Sequence, residues 1–477
     1  MDIKTRITSS ILKQFDYAPT EGQQKLIGLL ADFLMHESNQ TCFLLKGYAG
    51  TGKTSLVSAL VRTLPELRLR SVLLAPTGRA AKVLSGYSGK QAFTMHKKLY
   101  LLQTSADGVV SLRLQENMHR NTIFIVDEAS MIPDNNTPGQ SFFSERNLLN
   151  DLVEYVYSGD NCRLILIGDT AQLPPVGISI SPALDIKYLK ASYGFILFSY
   201  ELDEVVRQSL DSGILANATM LREKIALQET DLPVFQTSQY RDFIHITGND
   251  LLEELQTTFS GSGHEDTVVI SRSNKRANLF NREIRNRVLF REEEISAGDM
   301  MMVVRNNYYW LPDKSKAGFI ANGDIIEILR LTNTQELYGF RFADVTVRMV
   351  DYPEEKDMEV KILLDTIMTE TPSLPYKDYK RLFEEIEKDY EDIPDRRGRM
   401  EKIKKNPYFN ALQVKFSYAL TCHKTQGGQW AKVFIDPGYL KTDAIDTDYF
   451  RWLYTALTRA TEKAYLINFP EVFFMDS

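Results

Sequence analysis

Cysteine is nearly missing from this chain, and that scarcity narrows its chemistry first. Cys42, Cys162 and Cys422 are spread over 477 residues with no CxxC pair, which excludes a disulfide framework and a thiolate zinc site and points to a reducing, intracellular compartment. Histidine is scarce too: the six residues show no metal-ligand spacing. No run approaches the roughly 18 apolar residues of a membrane span, and the opening MDIKTRITSSILKQF has no continuous apolar core of the kind a secretory leader carries. A cytoplasmic protein with no membrane partner is expected. There is no repeat of fixed period and no low-complexity tract, which excludes a solenoid. Basic charge is also short, with 56 Lys and Arg against 63 Asp and Glu and a net charge of −7. A nucleic acid is held by lysine and arginine, so any such partner must be met by a locally basic groove rather than by the whole surface.

What the chain does have is apolar substance, at 43% hydrophobic and 25% charged residues, and a length that exceeds one hydrophobic core. Short apolar runs alternate with longer amphipathic stretches through the first two hundred residues, the pattern of a parallel α/β sheet. CFLLK (42–46), SVLLA (71–75), TIFIVD (122–127) and RLILIGD (163–169) read as buried strands, each ending at a polar motif. That is where open α/β sheets bind ligands. Between 98 and 118, alternation around Asp107-Gly108 signals a hairpin. A second α/β pattern follows Tyr200, with DTVVISRS (266–273), QVKFSYAL (413–420), KVFID (432–436) and AYLINF (464–469) as strands. The stretch from about 300 to 411 interrupts it as an insertion, and its charged run from Tyr376 to Lys405 reads as a solvated helical extension broken at Pro394.

Gly47-Tyr48-Ala49-Gly50-Thr51-Gly52-Lys53-Thr54, followed by Ser55, fits GxxxxGK[ST] between a strand and a helix. Its glycines let backbone N–H groups surround phosphates, Lys53 neutralises the β and γ phosphates, and the Thr54 hydroxyl suits Mg²⁺. The loop alone leaves a nucleotide kinase or a GTPase open. Asp127-Glu128 closes the strand TIFIVD, where such proteins place a Mg²⁺ carboxylate. Asp127 is expected in the metal's shell and Glu128 as the base that activates water, which favours hydrolysis over kinase transfer. In isolation, two acids after a strand also describe a solvated turn.

GDTAQLPPVG (168–177) follows the next strand and resembles motif III of superfamily 1 helicases. In the same order along the chain, TEGQQ (20–24) resembles the Q motif, LLAPTGRAAK (73–82) motif Ia, TMH (94–96) motif Ib, ELDEVVRQS (201–209) motif IV, SYALTCHKTQGGQW (417–430) motif V and YTALTRA (454–460) motif VI. The likeness is to superfamily 1B, the RecD-like and phage Dda-like group with Pif-type helicases as relatives, and it covers nearly the whole chain. It implies an α/β protein of two RecA-like P-loop domains, one over 1–97 and 119–200 and the other over 201–299 and 412–477. It further implies a β-hairpin pin at 98–118 in the first and an SH3-like β-barrel insertion at 300–411 in the second.

The resemblance also implies an ATP-dependent helicase that moves 5′ to 3′ on single-stranded DNA. Single-strand/duplex junctions would be its track, replication or repair proteins its further partners, and the monomer its active form, associated with the nucleoid in a bacterium. An RNA-directed motor of the same superfamily, or a RecD-like motor subunit of a nuclease complex, stays open. By the same resemblance Gln23 would read adenine, Gln172 would sense the γ-phosphate, Gly427 would line the nucleotide site, and Arg207 with Arg459 would reach across the cleft as arginine fingers. Pro76, Thr77, Thr94, His96, Thr421, His423 and Lys424 match positions that line the single-strand groove; a lone histidine, however, more often braces a loop. Tyr308, Tyr309 and Trp310 in the insertion either stack on bases or fill the barrel core.

Overall fold

CFLLK is apolar at every position because the strand it forms is covered on both faces, as parallel sheets are. The computed structural model describes every residue except 1, 16–17, 39, 105–109, 134–145, 207–210, 262–264, 313–314, 316, 440–444 and 475–477. Its first strands are β1 (Thr41–Gly47), β2 (Arg70–Ala75), β3 (Ala92–Thr94), β4 (Tyr100–Thr104), β5 (Val110–Leu114), β6 (Arg120–Val126), β7 (Asp160–Gly168) and β8 (Ile196–Leu202). Six of them form one parallel sheet in the order β3-β2-β6-β7-β1-β8. Alternate side chains feed two separate cores. Phe43, Leu45, Leu73, Ile123, Ile125 and Ile165 pack under the helices Glu21–Met35, Lys53–Thr63 and Gly78–Ser88. Cys42, Leu44, Leu74, Phe124, Leu164 and Leu166 pack under Leu148–Tyr157.

A second parallel sheet takes β9 (Phe243–Ile246), β10 (Thr267–Ser271), β16 (Ala419–Thr421), β17 (Trp430–Asp436) and β18 (Ala460–Ile467), in the order β16-β10-β17-β18-β9. A closed five-stranded barrel stands between its halves in sequence: β11 (Met300–Val303), β12 (Ile325–Leu337), β13 (Phe340–Met349), β14 (Met358–Leu363) and β15 (Leu412–Phe416). Its long hairpin turns at Tyr338 and Gly339, both at positive φ, between the paired Leu337 and Phe340. The fold is thus two RecA-like α/β units with a hairpin in the first and a barrel in the second.

Two readings of the sequence change here. QVKFSYAL is not one strand: Leu412–Phe416 pairs with β11 and β14 and closes the barrel, and only Ala419–Thr421 joins the second sheet. The apolar run is continuous because both segments are buried, so composition could not show the break; the barrel extends past the 300–411 span expected for it. The charged run, secondly, is more than solvated. It forms helices Tyr376–Lys388 and Arg396–Lys404, whose Leu382, Ile386 and Ile403 bury against Phe340, Phe342 and Leu363 of the barrel. A buried carboxylate ties the barrel to the second sheet: Asp299, with no exposed surface, accepts from Arg285, Arg291, the Ser296 amide and the Tyr418 hydroxyl.

Candidate nucleotide site and single-strand groove

The phosphate loop leaves the carboxyl end of β1 at Gly47 and opens the helix Lys53–Thr63. Gly50 and Gly52 sit at φ +75° and +85°, which a side chain adopts only with strain. At Gly52 there is no room either, since a Cβ would come 2.3 Å from the Gln23 amide nitrogen. That amide donates to the Thr51 carbonyl at 3.1 Å while the Gln23 carbonyl accepts from the Thr20 amide. Gln23 therefore braces the loop and caps its own helix, with one amide N–H engaged at Thr51 and one carbonyl lone pair at Thr20. Lys53 folds back on the loop, its Nζ donating to the carbonyls of Gly47 and Tyr48 at 2.7 Å each. Thr54 and Ser55 are exposed in the first helical turn.

Beside the loop, β6 ends at Val126 and places Asp127 and Glu128. The Tyr87 hydroxyl donates to Asp127 Oδ2 at 2.6 Å, and the Glu128 amide to Oδ1 at 2.9 Å, which fixes the carboxylate's orientation. Glu128 adopts φ +54°, a left-handed turn that aims its side chain away from the strand's course. Its carboxyl is held above the usual carboxylate range, chiefly by removal from water and further by Asp127 and Asp169, against the pull of Arg459 and Lys53. Arg459 Nη1 stands 3.8 Å from Glu128 Oε1. The guanidinium is buried and also donates to the carbonyls of Thr455 and Gly428. It belongs to the second unit, so the cleft is built from both sheets.

Gln172 lies in the same seam, buried, with its Oε1 lacking a hydrogen-bond partner. Around it the first unit's GDTAQL segment is sewn to the second. The Leu173 amide donates to Thr455 Oγ1 at 2.8 Å, Gln426 Nε2 to the Leu173 carbonyl at 2.6 Å, and Arg451 to the Thr170 carbonyl at 3.0 Å. Tyr454 joins this set by bonding both Ala49 of the phosphate loop and Asp169. None of Asp169, Gln426, Arg451, Tyr454 or Thr455 stood out individually in the sequence, although all but Arg451 lie inside recognised motifs. Arg207 lies outside the described residues. Gly427, at φ +72°, fits against Thr77 and Ala80, where a Cβ would meet Ala80 at 2.6 Å.

An AAA domain model matches residues 21–249 and a UvrD-like helicase C-terminal domain model matches 416–467. An uncharacterized protein of Acanthamoeba polyphaga mimivirus is 24% identical, over 92% of this chain and 98% of its own length. The ATP-dependent DNA helicase dda of Enterobacteria phage T4 is 23% identical, over 87% of this chain and 92% of its own length. The chain thus carries the AAA and UvrD-like C-terminal domains of an ATP-dependent DNA helicase, with Dda, RecD2 and Pif1 helicases among its relatives, a set consistent with superfamily 1B. A solved Pif1 helicase from Bacteroides, in complex with ADP-AlF3 and ssDNA, aligns over 97% of this chain and 95% of that one at 16% identity and a TM-score of 0.47.

In this helicase the residues expected at the strand groove fall into three kinds. Thr77 and Thr94 are helix N-caps, their hydroxyls accepting from Ala80 and Lys97, and Thr94 is buried. His96 leans on Tyr100 and is held below its ordinary pKa by burial, so it is neutral at neutral pH. Pro76, Thr421, His423 and Lys424 keep accessible surface, and burial pushes the Lys424 ammonium down to about 8. Arg79 stacks over Trp430 at 3.9 Å and donates to the Gln429 carbonyl, closing the seam between the helix Gly78–Ser88 and the second unit.

The barrel leans over the same helix. Lys82 reaches Asp351 at 3.4 Å, and the missing side chain of Gly78 admits Asp324, whose Oδ1 would stand 2.4 Å from a Cβ there. Burial pushes Asp324 up to about 8. Trp310 and Tyr309 donate to the carbonyls of Asn410 and Lys405, while Tyr308 packs on Phe319. Tyr308 and Trp310 therefore serve packing of the insertion, whereas the Tyr309 ring is exposed and tied by its hydroxyl to the end of the helix Arg396–Lys404. The hairpin is anchored at its base, where Gln115 donates to the carbonyls of Lys97 and Tyr100 and the Tyr100 hydroxyl bonds Asp151. Its tip at Asp107-Gly108 lies outside the described residues. Among the described residues no helix is long and apolar enough to cross a membrane.

Proposed function

We propose that this ATP-dependent DNA helicase translocates 5′ to 3′ along single-stranded DNA and unwinds the duplex it meets at a junction. The observation that carries the reading is the cleft itself: Lys53 and Glu128 come from the first unit and Arg459 from the second, so the state of the phosphates decides how the two units sit. Lys53 leaves the loop carbonyls to neutralise the β and γ phosphates. Glu128 holds and deprotonates the attacking water, and its raised pKa suits a base. Arg459, with Arg207 as its counterpart, meets charge on the transferring phosphoryl group; an arginine so placed contributes about 10³ to 10⁵ in rate.

The donors suit magnesium, since the oriented carboxylate of Asp127 and the open hydroxyl of Thr54 are hard oxygens and Mg²⁺ retains water and substrate phosphates as its other ligands. When bound, the ion neutralises phosphate charge. Pro76, Thr421, His423 and Lys424, with the helix ends capped by Thr77 and Thr94, hold the strand by its backbone, a contact blind to sequence and so suited to movement. The braced hairpin parts the strands, against a mean stacking of about 1.4 kcal/mol per base-pair step. The active unit is the monomer, working beside replication or repair proteins.

DNA rather than RNA as the track is tested by ATPase stimulation with matched homopolymers. Poly(dT) is expected to raise turnover well above poly(U) at equal nucleotide concentration, whereas equal or greater stimulation by RNA contradicts the assignment.

A further inference from the structure

Tyr454 opens the YTALTRA segment on the helix Thr447–Leu457, yet its hydroxyl lies in the phosphate loop of the other unit. Its oxygen accepts from the Ala49 amide at 2.8 Å, and its proton goes to Asp169 Oδ2 at 2.6 Å. A phenol has one proton to give, and the carboxylate has none, so the direction of both bonds is fixed. Tyr454 and Asp169 are 1% and 2% exposed, and no other hydroxyl of the second unit reaches the loop among the described residues. Burial and the neighbouring Asp169 keep the phenol neutral, well above the ordinary tyrosine range. Lys53 is meanwhile satisfied by the carbonyls of Gly47 and Tyr48. Two groups of a loop made to hold phosphate are thus occupied by the protein.

We propose that the Tyr454 hydroxyl is a stand-in for a phosphate oxygen: it holds the Ala49 amide until ATP takes it, and its release tells the second unit that nucleotide has arrived. This rests on ATP binding at the loop, as argued above. A phosphate oxygen is a charged acceptor and bonds an amide more strongly than a neutral phenol does, so the exchange runs toward nucleotide. Tyr454 then keeps its bond to Asp169 but loses its hold on the loop. Its helix stays tied to the GDTAQL segment through Thr455 and Arg451 and ends beside Arg459. Losing one bond therefore changes which part of the first unit the arginine-bearing helix follows. Tyr454 is a positioning residue, with no contact to the reacting atoms.

Tyr454→Phe keeps the ring and deletes the stand-in. Binding of mant-ATP without DNA is expected to tighten about two- to tenfold, the range a single net hydrogen bond supplies, and DNA-independent turnover to rise, so that stimulation by DNA shrinks. Thr455→Ala, which cuts the tie to Leu173 but leaves Ala49 held, is expected to leave mant-ATP affinity unchanged. Unchanged or weaker binding in a folded Tyr454→Phe chain, or equal tightening in Thr455→Ala, overturns the proposal. In the unaltered chain, hydrogen exchange on adding ATPγS is expected to slow at 47–54 and quicken within 447–457; no change in the helix contradicts it independently of any variant's folding. Lys53→Ala separates the two claims, because undiminished mant-ATP binding there would sink the nucleotide site itself.

Discussion

Glu128→Gln is expected to stop ATP turnover while ATP and single-stranded DNA still bind. The substitution keeps the shape of the side chain and its left-handed backbone at φ +54°, and it removes only the capacity to take a proton. Losing a positioned base costs about 10² to 10⁴ in rate, so steady-state hydrolysis with saturating DNA should fall by that factor with KM nearly unchanged. The pH profile gives a second check. Burial and two neighbouring carboxylates raise the Glu128 pKa, and a base must be ionised to act. Activity of the native enzyme is therefore lost as pH falls through a value above that of an ordinary glutamate, seen in kcat/KM. Normal DNA-stimulated hydrolysis in the Gln variant would remove Glu128 from the mechanism.

Arg459→Ala carries the second large effect. An arginine that meets the transition state from the opposite unit supplies about 10³ to 10⁵, and kcat should fall on that scale while nucleotide affinity changes little. Arg459→Lys should recover only a part, because lysine cannot reproduce the planar fork that reaches Thr455 and Gly428 while facing Glu128. The two residues are also linked electrostatically. Arg459 lowers the Glu128 pKa, so its loss should move the acid limb of the residual activity to higher pH. A rate within a few-fold of the native enzyme would reduce Arg459 to a packing residue of the seam.

Local chemistry was legible in the sequence. The loop from Gly47 to Thr54, the acids Asp127 and Glu128, and four of the six strands of the first sheet follow from spacing and apolar runs within a few residues, and the structure brings them into one unit. The strands of the second sheet were read from apolar runs and the barrel from family resemblance, except where QVKFSYAL runs from one into the other. There the sequence is silent, because two buried strands in succession look like one. The connections that couple the units were also hidden. Tyr454 meets Ala49 across 405 positions and Asp169 across 285, and nothing short of the docked sheets pairs them. Thr77 and Thr94 illustrate the reverse case: a threonine between a strand and a helix is a capping signal, and both hydroxyls are spent on caps.

Direction of travel is the property on which the proposed mechanism stands most openly, since the proposed 5′-to-3′ translocation requires loading on a 5′ tail. The decisive measurement is unwinding of two duplexes of identical sequence, one with a 5′ and one with a 3′ single-stranded tail, under single-turnover conditions with ATP and magnesium. The 5′-tailed duplex is expected to open and the 3′-tailed one to remain closed; preference for the 3′ tail would contradict 5′-to-3′ translocation by this helicase.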